Sequence, residues 1–164
     1  MTVLQSSFNI ELSFPTQALL MNYSAQCSCG NVNLTLSLPK PIEEYLPRAC
    51  DCRFCTERNI AYLSDPMGEL VITSKHSLQS LKQGSEQATF WQCPSCLDMV
   101  AVSHQLYDEN EVIIKGAVNS RLFESTYTLP EALIASPKTL SPQQKRQRWS
   151  ELWLTTKLPV RSSP

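Results

Sequence analysis

Val32, Leu34, Leu36 and Leu38 alternate with Asn33, Thr35 and Ser37. A strict period of two puts the apolar side chains on one face, so this stretch reads as a half-buried strand, stopped by Pro39-Lys40-Pro41. The pattern recurs in shorter runs. Residues 60–63 and 69–73 read as strands around an Asp65-Pro66-Met67-Gly68 turn. Residues 77–82 fit a strand or a helical turn, ended by Gln83-Gly84-Ser85. Residues 88–92 lead into a cysteine pair. In 98–103, Met99 and Ala101 oppose Val100 and Val102, so both faces are apolar, as in a strand covered on both sides. Residues 111–115 are a further strand. Short strands at intervals of about ten residues predict a mainly β domain.

The C-terminal part changes period. Leu129-Pro130-Glu131-Ala132-Leu133 reads as the opening of a short helix. Ser141-Pro142-Gln143-Gln144 supplies a cap serine, a first-turn proline and a glutamine at the third position, which together predict a capping box. Trp149, Leu152 and Trp153 then fall at i, i+3 and i+4, one apolar stripe with Lys145, Arg146 and Arg148 elsewhere. The expected element is a helix docked on the sheet; the alternative is a partner-binding or basic membrane-surface helix. The organisation this predicts is an N-terminal extension at 1–22, a β domain at 23–128 and a helical segment with tail at 129–164. Met21 is an alternative start to Met1.

Composition narrows the function classes. With 164 residues, 42% of them apolar, the chain is long enough to bury a core without disulfides. Fourteen Lys and Arg against fifteen Asp and Glu give a net charge of −1, which argues against nucleic acid and membrane partners. No apolar run approaches the roughly 18–20 residues a membrane span needs. The first twenty residues carry Glu11 and no base, unlike a secretory signal, so the expected location is cytoplasmic.

The seven cysteines fall as two, three and two: Cys27 and Cys29, then Cys50, Cys52 and Cys55, then Cys93 and Cys96. An odd, clustered set in a reducing compartment points to metal ligands rather than disulfides. In an extended segment i and i+2 share a face, so Cys27 and Cys29 reach one ion together, and Gly30 relieves the turn beside them. Cys93-Pro94-Ser95-Cys96 folds as a knuckle. The two pairs complete a four-sulfur structural zinc site. A redox dithiol at Cys93 and Cys96 is the alternative, but it leaves Cys27 and Cys29 without a role.

The central trio has three ligands and an open position, the pattern of a catalytic zinc. Asp51 is a weak fourth-ligand candidate. His76 and His104 have no motif spacing to a cysteine and read as packing or surface residues. Three thiolates give the ion a net charge of −1 and acidify bound water less than three imidazoles do. Soft thiol or carbonyl chemistry therefore fits better than hydrolysis. Arg53 and Arg58 are candidates for holding a substrate carboxylate.

Cys-x-Cys-Gly before an alternating strand, then Cys-x-Cys-x-x-Cys, then Cys-x-x-Cys, resembles the glutathione-dependent formaldehyde-activating enzyme family, which includes the related domain of centromere protein V. The resemblance spans about Tyr23 to Ser103. It implies a β-tent fold of short antiparallel strands. It also implies two zinc ions per chain, structural on Cys27, Cys29, Cys93 and Cys96 and catalytic on Cys50, Cys52 and Cys55. The implied activity is that of a carbon–sulfur lyase joining an aldehyde such as formaldehyde to a thiol such as glutathione, in aldehyde detoxification. The chain departs from the family at Leu97, where glycine is usual, and at Asp51, where His or Asn is common. The competing expectation is a non-catalytic zinc module that docks a protein partner through Trp149 and Trp153. A homo-oligomer is compatible with either.

Overall fold

A computed structural model describes residues 19–159. Most of the expected N-terminal extension and the last five residues of the tail lie outside the described residues. Among the described residues, eleven strands and two α-helices make a mainly β fold with one main helix near the C-terminus. The strands are β1 (Met21–Gln26), β2 (Val32–Leu38), β3 (Arg48–Cys50), β4 (Tyr62–Leu63), β5 (Glu69–Ser74) and β6 (Gln79–Lys82). They continue with β7 (Thr89–Gln92), β8 (Met99–Asp108), β9 (Glu111–Asn119), β10 (Leu133–Ala135) and β11 (Leu154–Lys157). The helices are α1 (Arg53–Glu57) and α2 (Pro142–Leu152).

Strand β9 is the junction of the sheet. One of its edges pairs with β8 in a long antiparallel hairpin, which continues to β7 and β6. Its other edge is shared. Lys115 and Gly116 pair with β11, which leads to β5, β2 and β1, while Val118 and Asn119 pair with β4, which leads to β3 and β10. Gly116 is what permits this crowding. A Cβ there would lie 2.7 Å from Thr156 Oγ1 and 2.8 Å from the Val102 carbonyl oxygen.

The period-two reading of β2 holds: Val32, Leu34, Leu36 and Leu38 are all buried, with Asn33 and Thr35 exposed. They form the main core with Leu70, Ile72, Val100, Val118, Phe123 and Leu154. Residues 99–103 are buried without interruption, as their two-sided apolar pattern predicts. The capping box also forms. Ser141 Oγ accepts from the Gln144 amide at 3.2 Å, and Gln144 Oε1 accepts from the Ser141 amide at 2.9 Å. Helix α2 docks as expected, with Trp149 and Trp153 stacked at 4.9 Å against Ala88, Val102 and Ala117.

Other expectations are corrected. Residues 129–133 do not open a helix; the chain is extended and becomes β10, parallel to β3. So short a segment gains little from helix formation alone, and the edge of β3 offers its backbone a partner. Pairing instead satisfies the backbone, with the Leu133 amide donating to Pro47 O at 2.8 Å and the Asp51 amide to Ala135 O at 3.0 Å. Within 60–63 only Tyr62 and Leu63 pair, and 77–82 resolves as strand β6. The sheet is not wholly antiparallel, because β10 with β3 and β11 with β5 run parallel. Strands β1 and β11 and helix α1 carry no signal strong enough to read in the sequence, and β1 begins at Met21, inside the expected extension. No helix among the described residues is long and apolar enough to cross a membrane.

Candidate metal centre

The outer cysteine pairs meet. The turn after β1 carries Cys27 and Cys29, the turn between β7 and β8 carries Cys93 and Cys96, and all four Sγ atoms lie within 4.8 Å of one another. Cys27–Cys29 and Cys29–Cys93 are each 3.6 Å apart, sulfur to sulfur. A tetrahedral ion with Zn–S bonds of about 2.3 Å sets sulfurs about 3.8 Å apart, so the donor set and its spacing fit zinc.

The surroundings support thiolates. The Val32 amide donates to Cys27 Sγ at 3.3 Å, and Asn31 Nδ2 to Cys93 Sγ at 3.4 Å. Burial by itself raises the Cys93 thiol, but bonds from the Cys96 amide and the Asn31 side chain bring it down to about 6. Cys96 is pushed up to about 12, by burial first and by its contact with Cys93. Four neighbouring thiols cannot all ionise without a cation between them.

Two backbone features shape this site. Gly30 takes φ +74°, the left-handed conformation that closes the first turn. Asp98 Oδ2 accepts from the Ser28 amide at 2.7 Å and from Ser28 Oγ at 2.5 Å, clamping one turn to the other. Nothing in the spacing of the cysteines signalled Asp98. Leu97 is the opposite case: it closes the knuckle at φ +66° with its side chain 60% exposed, a conformation that suits glycine. Leu97→Gly is therefore expected to stabilise the protein by about 1 kcal/mol, raising Tm by roughly 3 °C in a thermal melt. An unchanged or lower Tm would show that the turn holds no such strain.

The central trio is built differently. Cys50 ends β3, Cys52 caps α1 and Cys55 lies within that helix, so the segment turns from strand to helix between its ligands. Their three Sγ atoms lie within 4.8 Å of one another. Cys50 falls to about 6, because the Cys55 thiol donates to it, with burial opposing. The same contact, and then burial, pushes Cys55 up. This soft, crowded donor set suits a zinc ion as well.

Asp51 is not brought to the trio. Its carboxylate accepts from Ser136 Oγ at 2.6 Å and pairs with Lys138 at 3.4 Å; the Ser136 bond first and then Lys138 lower its pKa. Its side chain is turned to β10 and the loop after it. Arg53 and Arg58 do not face the trio's cavity either. Arg53 pairs with Glu57 at 2.6 Å, and Arg58 stacks on the Phe54 ring at 3.9 Å. His104 packs on Trp149 with ring centres 5.3 Å apart, and His76 donates its amide to Asn31 Oδ1, so neither histidine joins a cysteine cluster.

All three trio cysteines line a cavity of about 400 Å³ closed on one side by α2 and the loop before it. Two further polar groups face the sulfurs. Tyr62 Oη lies 3.9 Å from Cys55 Sγ, and Gln83 Nε2 lies 3.8 Å from Cys52 Sγ. Burial first, and then the charge of Cys55, raise the Tyr62 pKa well above its ordinary value. Tyr62 sits in a short apolar run and Gln83 in a turn, so neither was readable as a site residue.

Comparison with known proteins adds little. No family model matches the chain, and no curated protein matches it. A crystal structure of a Rhodobacter sphaeroides protein matches at 23% identity, over 64% of this chain and 91% of that one, with a TM-score of 0.46. A likeness at that level bears on neither function nor mechanism. The two cysteine clusters themselves show that the chain could hold two metal ions.

Proposed function

We propose that the protein is a zinc-dependent enzyme that forms or breaks a carbon–sulfur bond between an aldehyde and a thiol. The observation that carries this reading is the contrast between the clusters. Four sulfurs close on one another at the outer site, whereas three sulfurs line a cavity large enough for a small organic molecule. The seven-cysteine spacing of the formaldehyde-activating type supports the same reaction class.

Zinc held by Cys50, Cys52 and Cys55 would supply Lewis acidity and a soft site for sulfur. In the forward direction the thiol sulfur adds to the carbonyl carbon, the carbonyl π bond opens, and the thiol proton ends on the oxygen. Nothing is oxidised or reduced. Tyr62 Oη, kept protonated by burial, is placed to donate a hydrogen bond to the oxygen as negative charge develops there. Gln83 Nε2 offers a second donor beside Cys52. The half-buried Phe90 and Trp149 put an apolar wall in the same cavity, beside the reacting carbon.

The test is consumption of formaldehyde with glutathione present, comparing wild type with Cys52→Ser. The variant is expected to stay folded, to hold one zinc per chain instead of two, and to lose about 100-fold of the catalysed rate, the worth of roughly 3 kcal/mol of transition-state stabilisation. Equal rates in both proteins, above the spontaneous reaction, would remove the trio from catalysis.

A further inference from the structure

The trio's cavity is chemically divided. Its apolar wall is made by Ala88, Phe90, Val102, Ala117, Trp149 and Trp153. Its lining also includes four cations, Arg48, Lys138, Lys145 and Arg148, and no carboxylate. Among the described residues Lys138 is paired with Asp51, while Arg48, Lys145 and Arg148 are in no ion pair. The chain as a whole carries −1, so this excess of positive charge is local to the cavity.

The helix explains how both characters reach one place. Lys145, Arg148, Trp149 and Leu152 are spaced i, i+3, i+4 and i+7, so α2 presents two cations and two apolar side chains along a single face. That face lines the cavity. The sequence pattern set the two cations apart from the apolar stripe; the docked helix puts them on it. Formaldehyde would fill a small part of about 400 Å³, and a wholly polar molecule would leave the Trp149 and Phe90 wall without a partner.

We infer that the cavity binds an amphipathic organic acid, a ring-sized apolar body with one anionic group, as the larger partner in the reaction. The acid group meets Arg48, Lys145 and Arg148, and the body lies on Trp149 and Phe90. The inference rests on the reading of the trio as the reactive site. It goes beyond that reading by naming what the substrate must carry besides its thiol or aldehyde.

The test uses unreactive probes, 4-ethylbenzoate and its uncharged analogue 4-ethylbenzamide, titrated calorimetrically into the zinc-loaded full chain. The acid is expected to bind at least about tenfold more tightly than the amide. In the Lys145→Gln, Arg148→Gln double variant that preference is expected to collapse, with the thermal melt unchanged and Arg148→Lys retaining part of it. Trp149→Phe is expected to weaken both probes alike. Equal affinity for acid and amide, or a preference that survives in the double variant, would overturn the assignment of the cations. S-methylglutathione, a polar acid without a free thiol, binding more tightly than 4-ethylbenzoate would overturn the assignment of the apolar wall. The probes contain neither thiol nor aldehyde, so the two ideas fail separately. Probe binding without turnover defeats the proposed reaction alone, and turnover without selective binding defeats the substrate class alone.

Discussion

Cys93→Ser is expected to unfold the chain. Cys93 is fully buried, and with Cys27 it belongs to the main core beside Val32 and Val100. The outer cluster joins two turns, after β1 and after β7, that lie on different arms of the sheet and share no strand ladder. A structural zinc contributes on the order of 10 kcal/mol to folding at neutral pH. A domain of this size has about 5–15 kcal/mol of net stability, so losing one of four sulfurs removes most or all of it. A buried serine hydroxyl neither replaces the thiolate nor finds the Asn31 amide at the same distance. The expected observations are loss of the cooperative thermal transition and loss of the outer zinc by metal analysis. Wild type treated with a strong chelator is expected to behave in the same way. A Cys93→Ser protein melting within about 2 °C of wild type would show that the outer cluster is not what holds the fold.

The second large effect lies away from any sulfur. Phe123→Ala is expected to cost about 3–5 kcal/mol, because the ring is wholly buried and its removal opens a cavity the sheet cannot close. Phe123 ends the 3-10 turn Ser120–Phe123 that follows β9, with the Tyr127 ring centred 6.3 Å away. The turn is pinned in place. Ser120 donates its amide and its hydroxyl to Ala61 O at 2.8 and 3.0 Å, and Asn119 Nδ2 donates to Met99 O at 2.9 Å. These bonds seat β4, and with it Tyr62, beside the trio. Thermal unfolding should report a fall of roughly 10 °C while the zinc content stays at wild-type level. Phe123→Leu, which keeps much of the volume, is expected to cost less than half as much. A small effect of the alanine variant would mean that the core closes over the gap.

These effects come from two kinds of information in the chain. Period-two alternation carries over directly into structure, as at Val32 to Leu38, because burying one face of a strand is a local instruction read by any sheet that receives it. The capping box at Ser141 and Gln144 is equally local. Cysteine spacing worked for a similar reason. Residues two or three apart converge whatever lies beyond them, so the membership of each pair and of the trio was legible without coordinates.

Apart from the meeting of the two outer cysteine pairs, the sequence did not decide the contacts between distant segments. The extended chain at 129–133 departs from its local pattern because β3 offers unpaired backbone groups, and that offer is invisible from Leu129 to Leu133 alone. The arginines nearest the trio in sequence, Arg53 and Arg58, were drawn to Glu57 and Phe54, their own neighbours on α1. Cations from β3 and α2 line the cavity in their place. By itself the sequence determined a mainly β chain with two cysteine clusters suited to zinc. Only the tertiary structure decided that the trio opens on an apolar, cation-lined cavity, because that cavity exists only where α2 docks on Ala88, Val102 and Ala117.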